Sequence, residues 1–290
     1  MKTMISWIIL LIFSFLLACG QTAIQDKKTN TKNDSIQTAK TEKQLTKEER
    51  RRQIERENRI DSLRFELALK DALKIAQKAF KTENYTKQYE FYPDDSSYAI
   101  NIEIAIGLLF KDKQKYFLLR RHVPWATYLD LYKINDKKAE KVIEREQGGM
   151  TYIRDTIFDV NGDEHEDFLV HWYPSSGCCR RNVYNVYLNQ PDKGNFTQDY
   201  EFINPTFSPK EKIIRGVQYG HPGEVGLYKY KWNGLQVDTI EFIYPDVNNK
   251  GQFIQTKKVT YSPSENDGVV LKIVPKEYQN IESYEWFIDF

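Results

Sequence analysis

The sequence predicts a mainly β protein, with an antiparallel body that is either an irregular propeller-like arrangement or a sandwich, preceded by one N-terminal helix. From residue 98 onward, short stretches alternate apolar and polar side chains, which is the two-residue period of a strand with one buried face. Residues 46–82 contain neither proline nor glycine and follow a helical pattern. Because no long helical segment separates the later strands, neighbouring strands are expected to pair in antiparallel order.

The length and composition fit one main domain with appendages. We assign residues 1–18 to a signal peptide, 19–45 to a flexible tether, 46–82 to a helix and 96–290 to the β-domain. A chain that is 40% hydrophobic and 14% aromatic can bury a core, which excludes a wholly disordered protein. Its 42 Lys and Arg nearly balance its 41 Asp and Glu, so we expect no nucleic-acid partner.

The first nineteen residues have the pattern of an export signal. Lys2 supplies a positive start, and residues 5–17 form an apolar stretch that is too short to span a bilayer comfortably. The segment Leu16-Leu17-Ala18-Cys19 resembles the lipobox of bacterial lipoproteins. The resemblance implies cleavage before Cys19 and lipidation of its thiol. The alternative is an uncleaved single-pass anchor.

Lipidation implies a location at the bacterial cell envelope. Several acyl chains give a stable anchor, because each buried methylene contributes about 0.8 kcal/mol. Gly20 stands where an acidic residue retains some lipoproteins in the inner membrane, so the outer membrane, facing the periplasm, is expected. The membrane is therefore the first expected partner.

A polar tether and a helix are expected to follow the anchor. Residues 19–45 hold too few apolar side chains to offset the entropy of ordering. Thr46 and Glu49 fit a capping box, which marks the start of the helix. An apolar stripe is predicted in its second half at Leu69, Leu73, Ala76 and Phe80. The helix is either a partner-binding or coiled-coil element, or a solvated stalk whose end packs on the β-domain.

Strands are predicted throughout the remaining chain. The first has an apolar face made by the even-numbered residues from Tyr98 to Phe110. Asn233-Gly234 predicts a two-residue hairpin with positive φ, and residues 190–194 predict a second hairpin. The further candidates are Tyr116 to Arg121, Thr127 to Ile134, Tyr152 to Phe158, Phe168 to Tyr173, Val183 to Leu188, Gly226 to Trp232, Leu235 to Tyr244, Phe253 to Tyr261, Val269 to Val274 and Tyr284 to Ile288.

An acidic loop lies between two of these strands. Asp159, Asn161, Asp163 and Asp167 place side-chain oxygens at positions one, three, five and nine, and calcium prefers six to eight oxygen ligands. The spacing resembles the calcium loop of FG-GAP and VCBS repeats. The resemblance implies that these four side chains and the backbone carbonyl of His165 bind a structural Ca²⁺.

The loop departs from that pattern in one respect. Its sixth position, where glycine permits a sharp turn, is Glu164, and a glycine stands at the fourth position, Gly162. The alternative interpretation is an acidic turn that is capped by its own side chains and holds no ion.

Two adjacent cysteines remain once Cys19 is assigned to the lipid. A disulfide inside one mature chain would therefore join Cys178 to Cys179, as a strained and reducible ring. Arg180 and Arg181 follow directly and would lower the pKa of the thiols. The alternatives are a redox sensor, a structural disulfide, a pair of unreactive thiols in a turn, or zinc binding with His171 or His221, for which no ligand spacing is recognised.

No catalytic motif is recognisable in the sequence. The function expected is that of a non-enzymatic, membrane-anchored envelope lipoprotein, whose calcium-stabilised β-domain binds a protein or glycan partner through Tyr and Trp side chains. One alternative is an immunity or inhibitor lipoprotein directed against peptidoglycan hydrolases. Another is an envelope glycan hydrolase that uses a carboxylate pair such as Glu164 and Glu166.

Overall fold

The structure is a computed structural model, which describes residues 46–290 except 94–97, 137, 149, 176, 178, 261–262 and 289–290. The proposed signal peptide, Cys19 and the tether lie outside the described residues. The chain divides into two compact units, residues 1–51 and 52–290, and the packing reported below lies within the second unit.

Helix α1 spans Lys47–Ala79. Its start is the predicted capping box: the Thr46 amide donates to Glu49 Oε2 at 2.8 Å, and the Glu49 amide donates to Thr46 Oγ1 at 3.2 Å. The buried stripe consists of small residues, whereas the predicted Leu69 and Leu73 are only half-buried. Alanine on the inner face lets the helix backbone come close to the sheet beneath it. The fully or nearly fully buried helix residues are Ala68, Ala72, Ala76 and Ala79.

Three antiparallel sheets form the body. The first has the order β1-β2-β3-β4-β5, the second β11-β8-β7-β6 and the third β12-β13-β14-β15-β16-β17, and β9 and β10 form a separate two-stranded hairpin. The strands of the first sheet are Tyr85–Phe91 (β1), Ile100–Gly107 (β2), Tyr116–Val123 (β3), Ala126–Asn135 (β4) and Lys138–Gly148 (β5). Those of the second sheet and the hairpin are Met150–Phe158 (β6), Asp167–Pro174 (β7), Val183–Tyr187 (β8), Asn189–Gln190 (β9), Asn195–Phe196 (β10) and Tyr200–Ile203 (β11). Those of the third are Pro205–Ser208 (β12), Ile213–Val217 (β13), Leu227–Asn233 (β14), Gln236–Pro245 (β15), Phe253–Thr256 (β16) and Val269–Leu271 (β17).

The sheets stack face to face, so that the architecture is sandwich-like and the predicted fold class is confirmed. Helix α1 covers the outer face of the first sheet. In β7, Phe168 and Val170 pack toward the first sheet while Leu169 packs toward the third, as the two-residue period requires. The outer face of the third sheet is covered by the C-terminal segment, including Tyr278 and Phe287.

Both predicted hairpins are present. The β14-β15 loop consists of Gly234 and Leu235, with a φ of 60° at Gly234. Glycine is therefore the first of the two loop residues, whereas in the predicted Asn233-Gly234 turn it is the second. The β9-β10 hairpin turns at residues 191–194.

Some strands differ from the sequence prediction. The predicted strand Tyr284 to Ile288 was wrong: Tyr284–Ile288 is the short helix α2, because Tyr284 and Phe287 lie three residues apart and pack into one cluster. Strands β1 and β5 were not predicted. Strand β1 lies wholly upstream of residue 96, where the predicted β-domain begins. The highly charged β5 forms one edge of the first sheet and carries only a weak apolar pattern.

Candidate functional site

The acidic loop joins β6 to β7 and contacts segments from all three sheets. Asp167, the first residue of β7, is fully buried. Its carboxylate accepts hydrogen bonds from the amides of Val160 and Asn189, both at 2.9 Å. On the other side, the amide and ammonium of Lys111 bind Glu166 at 2.7 and 3.1 Å. The loop is therefore a connector as well as a candidate metal site.

The remaining predicted ligands bind the loop's own backbone. Asp159 accepts from the amides of Gly162 at 2.6 Å and Glu164 at 3.0 Å. Asn161 Oδ1 accepts from the Asp163 amide at 3.1 Å. Asp163 Oδ1 accepts from the amide of His165 at 2.9 Å. These bonds satisfy backbone donors that a tight turn would leave unpaired.

Two positions in the loop have left-handed backbone conformations. Gly162 has a φ of 73°, and a Cβ there would lie 2.2 Å from the carbonyl oxygen of Pro209, so the loop packs closely on the turn before β13. Glu164 has a φ of 72°, the conformation for which the calcium-loop pattern carries glycine. The backbone therefore resembles the pattern at its sixth position even though the side chain does not.

The surroundings of Asp167 disfavour its charged form. Burial raises the pKa of Asp167 to about 7, the two amide hydrogen bonds oppose this shift, and the charges of Asp163 and Asp159 add to it. In the described part of the chain, the one ion pair made by this segment is that of Glu166 with Lys111. The three Asp side chains of the loop thus form no ion pair with a cationic side chain among the described residues.

The donor set fits calcium in its chemistry, because it consists of oxygen atoms that keep further lone pairs beside their hydrogen bonds. Across the described residues, no group of three or more His, Cys, Asp or Glu side chains is arranged to hold a metal ion. The structure brings the predicted ligands into one loop, in which their oxygens bind backbone amides. Occupancy by Ca²⁺ therefore stays a prediction.

The cysteine segment lies beside His221. Cys179 is buried, and its Sγ lies 3.9 Å from His221 Nδ1. Cys178 is outside the described residues, so the vicinal disulfide stays a prediction. His171 lies elsewhere: it stacks on Tyr184 with ring centroids 4.1 Å apart and has its pKa lowered, mainly by burial.

An aromatic pocket, which sequence reasoning missed, opens at the third sheet. It has a volume of about 550 Å³, and its lining includes the exposed side chains of Glu201 and Glu224 together with His221. We call it the tyrosine pocket. Its aromatic lining consists of Phe202, Tyr219, Tyr228, Tyr230 and Tyr244.

Two glycines make room for the deepest rings of the tyrosine pocket. A Cβ on Gly216 would lie 2.3 Å from the ring of Tyr228, its partner across the β13-β14 pair. A Cβ on Gly226 would lie 2.4 Å from the ring of Tyr244. Tyr228 also stacks on Tyr230, with centroids 4.6 Å apart. The alternating tyrosines of β14 were a visible signal, but the pocket also needs β11, β15 and the β13-β14 loop.

The chain matches no known family model, no curated protein and no solved structure. Within the described ranges, no helix has both the length and the apolar character that crossing a membrane requires.

Proposed function

We propose that this chain is a lipid-anchored protein of the bacterial cell envelope that binds a protein or glycan partner through the tyrosine pocket, without catalysing a reaction. The observation that carries the proposal is the pocket itself. Binding sites for small groups are concave, mostly apolar, and typically about 300–1,000 Å³ in volume. Tyrosine rings provide contact area and a polar edge at little conformational cost.

Photo-crosslinking tests the binding surface. A photoreactive phenylalanine replaces Tyr219, which is 44% exposed at the pocket. In a control it replaces Tyr92, which follows β1 directly and is 63% exposed. We expect envelope components to crosslink at position 219 and not at position 92. Equal crosslinking at both positions, or none at 219, would contradict the proposal.

The anchor is proposed on the resemblance of residues 16–19 to a lipobox. An alkyne analogue of palmitate supplied to growing cells should label the wild-type chain and should leave the Cys19→Ser variant unlabelled. Cys179→Ser is the matched control, because it removes a buried thiol far along the chain and should leave labelling unchanged. Labelling that survives Cys19→Ser would refute lipidation at this residue.

A glycan hydrolase is the competing proposal, because Glu201 and Glu224 both line the tyrosine pocket. Glycosidases keep their proton-donating carboxyl group in surroundings shielded from water, and both of these side chains are exposed. We therefore favour binding. Release of reducing ends from purified peptidoglycan by the wild type, lost in Glu201→Gln or Glu224→Gln, would reverse this choice.

We also propose that a structural Ca²⁺ binds to the loop Asp159–Asp167. It would neutralise the carboxylates that gather at the junction of the three sheets and so strengthen the scaffold behind the pocket.

A further inference from the structure

The charged groups of the tyrosine pocket are predominantly acidic. Glu201 and Glu224 line it, and its described lining contains neither lysine nor arginine, with His221 as the remaining titratable base. Within the described residues, neither glutamate forms an ion pair. Two carboxylates without a counterion create a negative potential at the pocket mouth, which attracts a cationic ligand.

The aromatic walls add to this potential. The face of a tyrosine ring is electron-rich, and a cation within about 6 Å of its centre is stabilised. Of the lining rings, Tyr219 is exposed and Tyr230 is half-buried, so both are accessible to a ligand in the pocket. Aromatic rings combined with carboxylates form the chemical environment that selects ammonium groups over neutral groups of equal shape.

One cation of the chain already contacts a pocket ring. The guanidinium of Arg181 lies 5.0 Å from the centre of the Tyr219 ring, at the rim, and Arg181 does not itself line the pocket. This contact shows the same ring chemistry at work beside the pocket.

We propose that the tyrosine pocket binds the ammonium group of an organic cation, carried either by a quaternary amine or by a lysine side chain of a partner. The inference rests on the proposed binding function and specifies the chemical class of the ligand. The volume of about 550 Å³ exceeds that of an ammonium head, so the pocket also accepts part of the chain to which the group is attached.

Pairs of probes with equal shape and different charge test the proposal. Choline is compared with its uncharged isostere 3,3-dimethyl-1-butanol, and Nα-acetyl-lysine amide with Nα-acetyl-norleucine amide. The full chain is used in an uncharged maltoside detergent. Binding is followed by calorimetry and by the fluorescence of Trp286, whose indole N–H donates to the carbonyl of the pocket residue Gly220 at 3.0 Å.

We expect the cationic member of at least one pair to bind about tenfold more tightly than its neutral isostere. The pair that shows the difference identifies the source as a quaternary amine or a lysine. Glu201→Gln combined with Glu224→Gln should weaken that binding about tenfold. Asp192→Asn, at the exposed tip of the β9-β10 hairpin, is the matched control and should change nothing.

The outcomes separate this inference from the proposed function. Equal affinity for charged and neutral probes would overturn the cation inference but would keep the pocket as a binding site. Failure of all four probes to bind would overturn the cation inference. The crosslinking experiment at position 219 then tests the binding function independently. The comparison of probes uses the wild type alone, so it stands even if the double variant fails to fold.

Discussion

Calcium is predicted to stabilise this protein through the loop Asp159–Asp167, and the effect is testable by thermal melting. The chain is melted in calcium and then in chelator, with the Asp163→Ala variant and the Asp192→Ala control beside it. Asp163 is one of the predicted calcium ligands in the loop, whereas Asp192 lies in an exposed hairpin turn. We expect the wild type and the control to gain stability in calcium and Asp163→Ala to lose the gain.

The magnitude follows from linkage. Calcium at a hundred times its dissociation constant adds about 2.7 kcal/mol to the free energy of unfolding. For a domain of this size, that increment raises Tm by about 5–10 °C. The loop contacts segments of all three sheets through Asp167, Glu166 and Gly162, so the gain should appear in the main cooperative transition.

The effect of calcium should also depend on pH. Burial raises the folded-state pKa of Asp167 from 3.8 to about 7, so without calcium its contribution to stability is present below pH 3.8 and lost as the pH rises through about 7. A bound cation holds the carboxylate in its charged form and removes that loss. The calcium increment in Tm should therefore grow between pH 5 and pH 8.

Two results would refute this reasoning. An identical melt in calcium and in chelator at pH 8 would remove the ion from the loop and leave the turn capped by its own side chains. An increment that Asp163→Ala retains would place the ion somewhere else on the chain.

Three further predictions concern the scaffold. Gly216→Ala should lower the free energy of unfolding, measured by urea titration, by about 1–3 kcal/mol, because its Cβ would lie 2.3 Å from the ring of Tyr228. The control Gly148→Ala, which has open space around its Cβ, should change the free energy of unfolding by less than about 0.5 kcal/mol. Glu164→Gly should raise the free energy of unfolding by roughly 0.5–1 kcal/mol, since a φ of 72° is strained for any side chain, and unchanged or lower stability would contradict the observed backbone. The imidazole of His171 should titrate below pH 6.5 in NMR spectra, because burial favours its neutral form. Its contribution to the free energy of unfolding is then fully present above pH 6.5 and is lost as the pH falls through the lowered pKa. A titration midpoint at the ordinary value would show that the ring is hydrated.

Local patterns predicted local structure well. The capping box at Thr46 and the β9-β10 hairpin are present, as is the apolar face of β2. Each depends on residues a few positions apart, for which hydrogen bonding and side-chain period leave few choices. The helix α2 was missed because three aromatic residues in five favour a strand by propensity, while packing against the third sheet favours a helical turn.

The sequence by itself determined the class of the fold, the position of α1, most strands and the acidic loop, since these follow from periodicity and from short spacings. Only the tertiary structure decided which residues share a site. The tyrosine pocket combines Phe202 from β11 with Tyr228 from β14 and Tyr244 from β15, and Cys179 meets His221 more than forty residues away. Such contacts depend on the pairing and stacking of whole sheets, which is set by the fit of complementary faces over long separations and leaves no mark in a local pattern.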